Sequence, residues 1–162
     1  MIRKTIFALS AFYLLGACAS AGAPKAESAA SLDLASAGVA AQGLRPIGDA
    51  QIPSGECGMV LWTLEGARPA AVFRFISGKQ AQANVAGQPV RLVLTEFNGA
   101  SGYGVFERQR FENESGVVIE VNARFGLEFK DGAYLEQGVI KVSDSAGWSM
   151  VSPAAGIAGC RP

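Results

Sequence analysis

From Val117 to Lys130 the chain alternates without a break: Val117, Ile119, Val121, Ala123, Phe125, Leu127 and Phe129 interleave with Val118, Glu120, Asn122, Arg124, Gly126, Glu128 and Lys130. A period of two puts one set on each face of a pleated strand and cannot be accommodated by a helix, whose faces repeat every 3.6 residues. The same period recurs over Met59–Glu65, Ala71–Ser77, Gln80–Ala86, Pro89–Phe97, Tyr103–Glu112, Ala133–Ser143 and Trp148–Ser152. Between these runs stand turn formers: Glu65-Gly66, Ser77-Gly78, Ala86-Gly87, Asn98-Gly99, Ser115-Gly116, Asp131-Gly132 and Ala146-Gly147. Short strands at this spacing predict an all-β fold, an antiparallel meander of about eight strands. Closure into a small or flattened β-barrel removes exposed strand edges and is the favoured arrangement, with a two-sheet β-sandwich as the alternative.

The stretch Met59–Leu64 is apolar on both faces and so is expected to be covered on both, by the preceding segment or by a C-terminal loop Pro153–Cys160. Upstream the alternation stops. Residues 18–52 are rich in Ala, Ser, Gly and Pro, hold no aromatic side chain after Cys18, and have no sustained apolar stripe. Such a segment builds no core and reads as a flexible linker, with a span of roughly 30–35 Å. The folded domain is therefore expected over residues 53–162.

The first 17 residues have a different character. Arg3 and Lys4 precede the apolar run Thr5–Leu15, which has the length of a signal-peptide core and is too short for a membrane span. Leu15-Gly16-Ala17-Cys18 follows directly and resembles the lipobox of bacterial lipoproteins. That resemblance implies cleavage before Cys18, lipid (palmitate among its acyl chains) on its thiol, and a mature protein anchored to a membrane and facing the periplasm. Ala19, standing where an aspartate would signal inner-membrane retention, favours the outer membrane. Ala17-Cys18-Ala19 and Ala19-Ser20-Ala21 also fit ordinary signal-peptidase sites, which would give a secreted form.

The chain has three cysteines. With Cys18 assigned to lipid, Cys57 and Cys160 remain to bracket the domain, and an oxidising envelope predicts a disulfide between them; two buried free thiols are the alternative.

Function is constrained mainly by what is missing. There is no histidine, which removes the usual general base near neutral pH and the commonest metal ligand. No serine stands in Ser-x-x-Lys spacing, and all three cysteines have other fates. A carboxylate-dependent hydrolase survives as a minor alternative, because Glu96, Glu107, Glu112, Glu114, Glu120, Glu128 and Glu136 offer many pairs whose separation only a fold decides. No cofactor or metal is implied. With 14 basic and 14 acidic side chains, no net field favours nucleic acid.

The most charged run is Glu107-Arg108-Gln109-Arg110-Phe111-Glu112-Asn113-Glu114. It puts Arg108 and Arg110 on one face, where they either grip an anionic partner or pair with glutamates across the sheet. Asn113-Glu114-Ser115 fits a glycosylation sequon that a bacterial leader makes irrelevant.

Two further resemblances bear on the domain. Asn98-Gly99-Ala100-Ser101-Gly102-Tyr103-Gly104, with Phe129-Lys130-Asp131-Gly132 downstream, is similar to membrane-bound inhibitors of c-type lysozyme. The likeness implies that Ser101 and Lys130 enter a lysozyme cleft. Cys57-Gly58-Met59-Val60-Leu61-Trp62, with Gly147-Trp148 and Cys160, resembles an uncharacterised family of envelope lipoproteins and implies no activity. The expectation is a lipid-anchored envelope protein, not an enzyme, whose β domain binds or supports another envelope component; inhibition of lysozyme is the alternative.

Overall fold

The computed structural model describes residues 43–63 and 68–162. The leader, Cys18, most of the linker and the turn Glu65-Gly66 lie outside them.

Among the described residues nine strands form one antiparallel sheet: β1 (Leu44–Arg45), β2 (Cys57–Thr63), β3 (Ala70–Ile76), β4 (Ala81–Val85), β5 (Gln88–Gly102), β6 (Val105–Glu112), β7 (Val118–Phe129), β8 (Gly132–Ser143) and β9 (Ser149–Cys160). The hydrogen-bonded order runs β4-β3-β2-β9-β8-β7-β6-β5, and β4 pairs with β5 to close an eight-stranded barrel. All eight runs of alternation are barrel strands, and closure decides against the sandwich. Among the described residues no helix is long and apolar enough to cross a membrane.

The inward set fills the barrel. Phe73 and Phe75 each meet Phe111 edge-on with ring centroids 5.1 Å apart, surrounded by Met59, Leu61, Leu92, Ile119, Leu135 and Ile140, all essentially without solvent contact. Edge-to-face pairs of this kind add to the gain from burial.

Several boundaries differ from the expectation. β5 does not turn at Asn98-Gly99 but bulges there, with the register shifting between Asn98 and Ser101, and reverses at Tyr103-Gly104. Both turn residues take positive φ (58° and 71°), the geometry of a tight two-residue hairpin. Asn-Gly suits positive φ in a bulge as readily as in a turn, and Gly99 holds φ 92°.

β9 continues from Ser149 through the residues expected as a loop, Pro153–Cys160. Its small side chains gave no alternation, yet the tight fit of β9 between β2 and β8 requires them: a Cβ on Gly156 would overlap the Val60 carbonyl oxygen. Where the chain reverses between β6 and β7, Asn113 Oδ1 accepts from Ser115 N–H, Ser115 Oγ and Val117 N–H. The sequon residue is a turn former.

The folded part also reaches back to Gly43 and does not begin at residue 53. β1 pairs with the end of β4 (Leu44 opposite Val85), and Ile47 N–H donates to the Ala71 carbonyl. Beyond it Asp49 and Gln51 lie over Arg74, whose side chain is only 11% exposed. Arg74 Nη1 donates to Asp49 Oδ2 (2.7 Å) and to the Gln51 carbonyl (2.8 Å), while Nη2 donates to Gln82 Oε1 (2.6 Å). This strap thus runs beside the outer side of β2, where Val60 is buried and Trp62 stays partly exposed.

Cys57 and Cys160 face each other across β2 and β9 and form a disulfide.

Candidate functional site

Strands β5 to β9 present their outer faces as a grid whose rows follow from register. One row runs Glu96, Arg110, Glu120, Lys141, Val151; the next runs Asn98, Arg108, Asn122, Val139, Pro153. The two rows form a groove of about 550 Å³, also lined by Phe97, Gln109 and Val121. That size falls among small-ligand clefts.

The first row is an ion-pair network. Arg110 Nε donates to Glu112 Oε1 (2.6 Å), Nη1 donates to Glu120 Oε1 (3.2 Å), and Glu96 stands 3.8 Å away. Lys141 Nζ closes on Glu120 Oε2 at 2.8 Å. The hydrogen bond to Glu112 raises the Arg110 pKa, and the hydrogen bond from Lys141 holds Glu120 below the usual carboxylate range. Both shifts favour the charged forms of Arg110 and Glu120 and so favour their pairing.

Arg108 is placed differently. It is exposed, its one side-chain contact is Asn98 Oδ1 at 3.5 Å, and among the described residues it has no carboxylate partner. The two arginines expected to act together thus share a groove but divide the roles: Arg110 is consumed by Glu112 on its own strand and by Glu120 across the sheet, and Arg108 is left open.

Ser101 and Lys130 are not brought into this groove. Ser101 is exposed on β5 opposite Phe106, and Lys130 sits in the turn between β7 and β8. Both positions lie at the disulfide end of the barrel, since the turns after β5 and β7 leave it on the same side; no ion pair or hydrogen bond links them among the described residues. Lys130 lines a second, more apolar groove of about 530 Å³ over Val60, Trp62 and Ile157, between the strap and Phe129. Cys18 lies outside the described residues.

Phe97, Asn122 and Lys141 were not singled out from the sequence, and Asn98 was read only in the Asn98-Gly99 turn and the Asn98–Gly104 motif. Phe97, Asn122 and Lys141 sit on alternating runs, but only the pairing of distant strands brings them into the groove with Arg108. Among the described residues no three His, Cys, Asp or Glu side chains cluster as a metal site would need. Compared with protein-family models, curated proteins and solved structures, the chain matches none of them.

Proposed function

We propose that this is a lipid-anchored protein of the bacterial envelope whose barrel is a non-enzymatic binding domain, docking an anionic envelope component in the groove on β5–β9. One observation carries the reading: Arg108, an exposed guanidinium without a carboxylate of its own, set in a groove whose remaining charges neutralise one another. An open arginine beside a locked ion-pair network is poised for bidentate contact with a partner's carboxylate. The lipobox and the leader support the anchor, and the disulfide suits an oxidising compartment.

A photo-crosslinking residue at Val151, in the groove, tests the docking surface in intact cells against the same residue at Gln88. An adduct at Val151 that disappears with Arg108→Ala supports the reading; equal yields at the two positions sink it. For the anchor, Cys18→Ser is expected to abolish palmitate incorporation, and labelling that survives the substitution overturns the lipid assignment.

A second reading, inhibition of c-type lysozyme, is favoured by Ser101 and Lys130 sharing one end of the barrel. It requires that the purified protein slow lysozyme clearing of cell walls and that Ser101→Ala or Lys130→Ala relieve the effect. Undiminished clearing at high molar excess removes it.

A further inference from the structure

The groove around Arg108 carries more than a charge. At its edge Phe97 is 59% exposed, and its ring is stacked on Phe106 with centroids 4.4 Å apart and planes inclined by 30°. An exposed ring held on its other side by a second ring is a rigid apolar platform, ordered before any ligand arrives. Asn98 and Asn122 flank Arg108 in the same row, and the Asn122 side chain makes no hydrogen bond among the described residues.

Backbone pairing bears on the ligand class. Around the groove β6 is paired with β5 on one side and with β7 on the other, and β7 is paired with β8, from Arg108 to Glu112 and from Val118 to Asn122. β5 is paired with β4 only from Gln88 to Leu92, so its edge from Val93 onward is open to a peptide's main chain, but the floor of the groove over β6 and β7 offers side chains alone: an aromatic ring, amides and a guanidinium with no carboxylate partner among the described residues.

Resting on the binding-domain reading above, we propose that the groove recognises a carboxylate-bearing saccharide. The apolar face of a sugar ring lies on Phe97, the amides of Asn98 and Asn122 take hydroxyl or acetamido groups, and Arg108 holds the carboxylate. Arg110 and Lys141, tied by Glu112 and Glu120, position the row without touching the ligand.

The test is calorimetric titration of the full chain with the disaccharide N-acetylglucosaminyl-N-acetylmuramic acid. Neutral di-N-acetylchitobiose and an Ala-Glu tetrapeptide serve as comparison ligands. The acidic disaccharide is expected to bind at least about tenfold more tightly than either, in line with one charge-assisted bidentate contact. Arg108→Gln should erase the preference over chitobiose, and Phe97→Ala should weaken both sugars. Both side chains are exposed, so the variants are expected to fold, which the melting transition verifies. Equal binding of the two sugars, or tighter Arg108-dependent binding of the peptide, overturns the assignment. An Arg108-dependent adduct at Val151 without saccharide binding refutes the saccharide while leaving the docking surface in place.

Discussion

Ala86 and Phe111 mark the two ways single residues decide this fold. Ala86 opens the two-residue turn between β4 and β5 with φ 56°, followed by Gly87 at 83°. An L-residue with a Cβ carries a cost of about 1 kcal/mol there, and asparagine is the side chain that best tolerates the first position of such a turn. Ala86→Asn is therefore expected to stabilise the protein by about 0.5–1 kcal/mol, read from the denaturant midpoint. Phe111 lies at the other extreme, wholly buried between Phe73 and Phe75. Truncation to alanine removes both ring contacts and leaves a cavity, so Phe111→Ala should cost about 3–5 kcal/mol in the same measurement. The alternation of β6 made Phe111 legible as a core residue. The strain at Ala86 was legible only as a turn, because the sign of φ depends on how β4 and β5 meet.

At the scale of elements, the strap from Gly43 to Ile52 is held to β3 chiefly through Arg74. Replacing it, as in Arg74→Met, keeps apolar bulk but removes the donors to Asp49 and to the Gln51 carbonyl. Amide exchange at Ile47 is expected to accelerate at least tenfold, with protection in β7 and β8 unchanged; equal acceleration throughout would mean that the strap is not a separate unit. Acid should act on the same contact. The Asp49 pKa is lowered, first by the hydrogen bond from Gln51 N–H and then by Arg74. A depressed carboxyl contributes stability that is fully present above its unfolded-state value, near pH 4, and is lost as pH falls through the lower folded-state value. The strap should thus stay protected at pH 5 and loosen well below pH 4, and Asp49→Asn should abolish that acid dependence. None of this was visible beforehand: the segment's polar, small-residue composition describes a linker, and its partners, Val85, the Ala71 carbonyl, Arg74 and Arg161, all lie far along the chain.

For the whole molecule the Cys57–Cys160 disulfide is a long-range covalent constraint, joining residues separated by 103 positions across β2 and β9. Closing so long a loop restricts the unfolded chain more than it alters the folded one, so the Cys57→Ala/Cys160→Ala double variant is expected to lose about 2–5 kcal/mol by denaturant unfolding. The barrel should survive near room temperature, because all seven residue pairs from Cys57–Cys160 to Thr63–Ala154 remain in register. Loss of β2–β9 protection without change elsewhere would show instead that the bridge carries this seam alone.

Sequence by itself determined the strands, since alternation is written into each run locally and needs no knowledge of the partner. It also supplied three cysteines, of which the fold brings Cys57 and Cys160 together. Tertiary structure alone decided that the sheet closes, that the small residues of β9 are a strand, and that Arg110 is spent on Glu112 and Glu120 while Arg108 stays open. The reason is register. A period of two assigns a side chain to a face, but which neighbours it meets depends on the alignment of strands far apart in the chain, and one residue of slip would have exchanged them all.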